Sequence, residues 1–172
     1  MNFDFLELIK NRYSVRKFLD QPVKEEHVQR ILEAGMVAPT AKNLQPQKIF
    51  VLKSREALTK LANCTDCHFN APLAMLVCCD HNESWKRDSD GADSGQIDAA
   101  IVNTHMMLAA ADVGVGSTWV MWFDAADARN EFDLPDYLEP VAFLVMGYPA
   151  ENAHPSRMHA QSKAMEEIVK YL

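Results

Sequence analysis

The sequence is poor in glycine, with six in 172 residues, and has no internal repeat. It lacks a basic surplus: 17 Lys and Arg face 24 Asp and Glu, for a formal charge of −7. That balance argues against nucleic acid as the main partner. No apolar run is long enough to span a bilayer. Met1-Asn2-Phe3-Asp4 has no basic leader, and the segment after it is broken by Glu7, Lys10 and Arg12, unlike a secretory signal. These absences predict a soluble, cytoplasmic protein with no membrane partner. In that compartment the four cysteines are expected as free thiols or ligands rather than disulfides. A dinucleotide fingerprint is missing as well. Gly114-Val115-Gly116 follows a helical pattern, has no third glycine and opens a strand. No Ser-His-Asp order or carboxylate pair stands out for a hydrolase.

What is present is a substantial core. Hydrophobic residues make up 48% of the chain, and 172 residues suit one domain, 1–172. Phe3, Leu6 and Ile9 share the face of a short first helix, and Val28, Ile31, Leu32 and Gly35 mark a second, ended by Pro39. Strands are predicted at Lys48–Lys53, at Pro72–Cys79 as a buried central strand, at Ser117–Phe123 and at Pro140–Met146. Helices are predicted at Arg55–Ala62, from Ser94 or Gly95 to Gly114, at Ala125–Phe132 and at Ser162–Tyr171. The long helix should bury Ile97, Ile101, Leu108 and Ala111, with Thr104 on the same side, and the last should be amphipathic on Met165, Ile168 and Val169. Trp119, Met121 and Trp122 read first as interior residues. Helices and strands mix without strict alternation, which predicts an α+β fold with helices packed on a mainly antiparallel or mixed sheet. Glu83–Gly95 is a polar loop.

One cationic cluster stands out in this acidic chain. Arg12 and Arg16 flank Ser14 in Arg12-Tyr13-Ser14-Val15-Arg16-Lys17-Phe18. The guanidinium fork suits phosphate, so a local anion site is expected here.

Together with that cluster, three further segments resemble the nitroreductase family of flavin enzymes. They are Ala38-Pro39-Thr40-Ala41-Lys42-Asn43-Leu44-Gln45-Pro46, Gly114-Val115-Gly116-Ser117-Thr118-Trp119, and Met146-Gly147-Tyr148-Pro149-Ala150-Glu151. The four occur in the family's order and span most of the chain. Gln47 replaces the family's usual tryptophan after the proline. The resemblance implies FMN bound at the interface of an intertwined homodimer. It also implies ping-pong transfer from NAD(P)H to a nitroaromatic, quinone or similar planar acceptor. Arg12, Tyr13 and Ser14 would serve the phosphate and Arg16 the ribityl chain or the N1–O2 edge. Pro39, Thr40, Ala41, Asn43 and Gln45 would come from the partner subunit to border the ring. Trp119, Val120 and Met121 would line the ring, with the Met121 backbone N–H near flavin N5. Lys163, then Arg157, would complete the phosphate clamp. No catalytic side chain is assigned, because flavin N5 carries the chemistry. Rival readings are another flavin chemistry on this fold, such as flavin destruction or reductive dehalogenation, and a non-catalytic flavin- or metal-binding protein. Those flavin relatives carry a lid, and only Glu83–Gly95 could supply one.

Cys64-Thr65-Asp66-Cys67-His68 has three readings that the sequence leaves open. It matches a c-type haem attachment pattern, although no export signal accompanies it. It could contribute to a zinc site with Cys78, Cys79 or His81, although Cys78 and Cys79 should point to opposite faces of a strand. It could also be a loop beside the flavin. No metal ligand is assigned.

Overall fold

The computed structural model describes residues 4–172, and Phe3 of the first predicted helix lies outside that range. The helices are α1 (Phe5–Asn11), α2 (Glu25–Met36), α3 (Arg55–Cys64), α4 (Gly95–Asp112), α5 (Ala125–Glu131) and α6 (Met165–Ile168). The strands are β1 (Gln47–Leu52), β2 (Leu73–Asp80), β3 (Gly116–Val120) and β4 (Leu138–Gly147). The strands form one sheet in the order β1-β2-β4-β3, with every neighbouring pair antiparallel. The fold is α+β.

β2 is buried along its whole length, as its unbroken apolar run requires. Its side chains alternate between two cores. Leu73, Met75 and Val77 pack with Ile31, Val102 and Met106 of α2 and α4. Ala74, Leu76 and Cys78 pack with Leu61 of α3 and Ala128 of α5. The sheet therefore sits between two helical layers. A register shift at Val77/Cys78 places Cys78 opposite Pro140, and a bulge here suits a proline that cannot donate to the ladder. Three helices start on side-chain caps: Asp4 accepts from Leu6 N–H at 3.0 Å, Ser54 from Ala57 N–H at 3.1 Å, and Asp124 from Ala126 N–H at 2.8 Å.

Three expectations need correction. α4 buries Asp98, Ala99, Val102, Asn103, Met106 and Ala110, not the stripe through Ile97 and Leu108. This helix is apolar on nearly all sides, so periodicity could not choose its inward face; the small residues Ala99 and Ala110 allow the close approach. Ile97 is left 64% exposed. β3 stops at Val120, and Met121 and Trp122 are 69% and 79% exposed rather than interior. The last predicted helix shrinks to one turn with no buried residue, because no described residue covers Met165, Ile168 and Val169. α1 likewise buries nothing.

Candidate functional site

The arginine segment is bound to the sheet. After α1 ends, Ser14 bridges Ser117 of β3 in parallel sense, and Val15 N–H donates to Ser117 C=O at 3.0 Å. The Thr118 hydroxyl donates to Val15 C=O. Gly116 makes this approach possible: a Cβ there would lie 2.6 Å from Val15 Cγ2. Gly114, at φ +75°, turns the chain from α4 into β3. A cavity of about 180 Å³ lies beside Arg12, Tyr13, Ala111, Gly114 and Ser117.

Among the described residues neither Arg12 nor Arg16 is paired with a carboxylate, although ten other ion pairs are formed. Arg16 donates only to Ser14 C=O at 3.3 Å and lies 6.0 Å over the Phe69 ring. Two cations left without a carboxylate have the donor chemistry that an anion requires.

The Pro39–Gln45 loop is at the other end of α4. Lys42, Asn43 and Gln45 hold positive φ of 51°, 56° and 53°. Non-glycine residues persist in that region only where the surroundings impose it. The restraint comes from Asp98, a residue that the sequence did not single out. One buried carboxylate oxygen accepts from Ala41 N–H at 2.9 Å, and the other from the Ser94 hydroxyl at 2.7 Å. The Thr40 hydroxyl accepts from Gln45 N–H at 3.0 Å. The loop's own side chains at Pro39, Asn43 and Gln45 are exposed.

Asp98 and Ala111 are separated by about 20 Å along the helix at 1.5 Å per residue. One chain therefore does not bring its arginine cluster and its Pro39–Gln45 loop together.

Between these ends an apolar groove of about 520 Å³ follows Ile97, Ile101, Thr104, Trp119 and Met121. Among the described residues the Trp119 indole nitrogen is buried without a hydrogen-bond partner. From Ser117 to Met121 the backbone runs about 13 Å at 3.3 Å per residue.

The Cys64–Phe69 segment touches both sides of this region. The Thr65 hydroxyl donates to Trp122 C=O, and Phe69 lies under Arg16. Cys64 is buried and donates to Lys60 C=O at 3.2 Å. Burial first, then Glu131, Asp127 and Asp124, push its thiol up to about 11. The raised value leaves this thiol protonated at neutral pH, so it is a weak nucleophile. Cys78 lies in the α3/α5 core, whereas Cys79 faces Gly95 of α4. Among the described residues Cys64, Cys67 and His68 form no converging ligand group.

The C-terminal tail reaches the arginine cluster. His159 Nε2 is 3.1 Å from Lys10 C=O, and its ring is edge-on to Tyr13 at 6.2 Å. Arg157 and Lys163 are exposed. The 83–95 loop closes on itself rather than over the groove: Arg87 grips Asp90 at 2.6 and 2.8 Å, and Ser94 N–H donates to Trp85 C=O at 2.9 Å. Among the described residues no helix is long and apolar enough to cross a membrane.

A model of the Nitroreductase family matches residues 9–76 and 65–148. A protein of Methanothermobacter thermautotrophicus, assigned provisionally as an NADH dehydrogenase/NAD(P)H nitroreductase, is 31% identical over 92% of this chain and 87% of its own. The crystal structure of a nitroreductase family protein from Clostridium difficile 630 superposes with a TM-score of 0.92 at 41% identity, covering 99% of this chain and 98% of that one. An FMN-dependent nitroreductase from Clostridium difficile R20291 is similar at a TM-score of 0.78 and 26% identity, over 96% and 98%.

Proposed function

The chain belongs to the nitroreductase family, and from that membership we propose an FMN-dependent oxidoreductase that takes electrons from NAD(P)H by a ping-pong route. The protein works as one domain over residues 1–172, paired in an intertwined homodimer. The observation that carries this reading is the unpaired Arg12–Arg16 cluster, set at the start of β3 with Met121 at its far end.

The residues present fit FMN. A phosphate at Arg12, Tyr13 and Ser14 leaves a span to Met121 that a ribityl chain can bridge, given the reach of an arginine side chain. The exposed apolar surface near Trp119, Val120 and Met121 suits a planar ring. FMN held there would supply the redox chemistry, two-electron transfer between NAD(P)H and a nitroaromatic, quinone or similar planar acceptor.

Each part of the chain has a task toward that end. Arg12 and Ser14 neutralise and bind the phosphate. Arg16, turned over Phe69, puts fixed positive charge on the N1–O2 side, where charge accumulates on reduction. The Met121 N–H, at the end of β3, donates toward N5. The Cys64–Phe69 loop walls the site between Arg16 and Trp122. Lys163 and Arg157 add positive charge from the C-terminal tail. Pro39, Thr40, Ala41, Asn43 and Gln45 come from the second subunit, because Asp98, which holds one chain's own loop, and Ala111, beside its own Arg12, stand about 20 Å apart along α4. The uncovered apolar residues of α1, the outer face of α4 and the tail supply the contact surface for that subunit.

The purified protein should be yellow. NADH or NADPH should bleach it without oxygen, and a quinone or nitroaromatic should restore the colour. A colourless protein that added FMN neither colours nor stabilises overturns the reading.

A further inference from the structure

A second cluster, outside the proposed flavin site, lies where β2 runs into the 81–95 loop. The ligand atoms of Cys79, His81 and Asp93 lie within 4.8 Å of one another, the one such grouping among the described residues. The arrangement around them is directional. His81 Nε2 meets Glu139 Oε2 at 2.7 Å, and Gln96 donates to the other oxygen of Glu139 at 2.8 Å. This fixes the imidazole with Nδ1 facing Asp93 Oδ2 at 2.9 Å. Gly95 N–H donates to Asp93 Oδ1 at 2.8 Å, leaving Oδ2 as the inward atom. The Cys79 thiol is fully buried and makes no hydrogen bond among the described residues. Gly95 gives it room, since a Cβ there would sit 2.0 Å from Sγ.

We propose that Cys79, His81 and Asp93 bind a zinc ion through Sγ, Nδ1 and Oδ2, with water as fourth ligand. A sulfur–nitrogen–oxygen set suits zinc better than magnesium or calcium, which take oxygen ligands. Glu139 then has the part of the outer carboxylate that orients a zinc-bound histidine. A simple ion-pair clasp of His81, Asp93 and Glu139 gives no reason for the enclosed thiol.

The exchange balances without a redox step. Zinc enters, and the Cys79 thiol proton and the His81 Nδ1 proton leave to solvent. Two protons replaced by one dication leave the charge of the cluster unchanged. The site ties the end of β2 to the 81–95 loop at the first turn of α4, one turn before the Asp98 carboxylate that holds Ala41. Zinc would thus brace the base of the Pro39–Gln45 loop from outside the redox site. This inference stands apart from the flavin reading, and its failure leaves that reading untouched.

The test is metal loading of the intact protein with its native cofactor content. Wild type equilibrated with zinc and then desalted should retain about one equivalent per chain. Cobalt in its place should show a near-ultraviolet thiolate-to-metal band, which reports sulfur ligation without any mutation. Cys79→Ala should lose both signals and His81→Gln should lose the zinc. Glu139→Gln should bind about 10- to 100-fold more weakly, the usual cost of removing an orienting partner. Wild type that retains no zinc after desalting, or cobalt-loaded wild type without the thiolate band, overturns the proposal. So does a Cys79→Ala protein that keeps zinc as tightly as wild type.

Discussion

The two ends of α4 handle charge in opposite ways. At the C-terminal end, Arg12 and Arg16 stand without carboxylates beside a cavity. At the N-terminal end the charged groups that support the loop are engaged: Asp98 by Ala41 and Ser94, His81 by Asp93 and Glu139. Burial alone would raise the Asp93 carboxyl, but hydrogen bonds from Gly95, Ser84 and His81 outweigh it and hold the group near 2. The unpaired end can gain a great deal from an incoming anion. The paired end offers an anion no such gain and instead fixes a backbone that would otherwise relax. One end is therefore suited to an anion and the other to holding a loop.

That contrast can be broken from either side. The largest effect is expected at Arg12. Arg12→Ala should weaken FMN retention by about 100-fold, since a charge-assisted phosphate contact is lost, with little change in thermal stability. Equilibrium FMN titration of the apoprotein checks it. Asp98→Ala should do the reverse, costing about 2 kcal/mol of unfolding free energy because Ala41 N–H and the Ser94 hydroxyl lose a buried acceptor. Denaturant unfolding reads this directly. Arg16→Ala should sharpen the division within the cationic end, lowering the reduction potential of the bound flavin by about 30 mV, as expected for roughly 1.4 kcal/mol of lost charge stabilisation in a two-electron couple. Spectroelectrochemical titration measures it. The smallest effect concerns thiols. Burial holds Cys64 near 11 and Cys78 near 12, so both should resist alkylation at neutral pH in the folded protein and react only on unfolding, as mass spectrometry after iodoacetamide would report.

The legible parts of this molecule were those with one dominant signal. β2 could be read because seven consecutive apolar positions, Leu73 to Cys79, in a chain with few glycines can only be interior. The arginine cluster could be read because its charge runs against that of the chain. The inward face of α4 could not, since Ile97 and Leu108 are as apolar as Val102 and Met106. The isolated sequence does not distinguish a face that packs on the sheet from one left open. Met121 and Trp122 misled for the same reason: large side chains predict burial, whereas here they surround the end of β3. Asp98 was invisible because its role depends on Ala41, 57 positions away. His159 gave no signal because its partners are the Lys10 carbonyl and the Tyr13 ring rather than a charged neighbour.

The central claim is that one FMN site takes Arg12 from one chain and the Pro39–Gln45 loop from the other. Subunit complementation tests it most directly. One chain carries Arg12→Ala, the second carries Asn43→Ala with Gln45→Ala, and differently tagged copies are co-expressed and purified as the mixed dimer. Each parent homodimer should retain little FMN. The mixed dimer should recover one intact site of its two, because the unaltered arginine of the second chain meets the unaltered loop of the first. A mixed dimer as poor in FMN as its parents would contradict the account, since a site built within one chain is damaged in both.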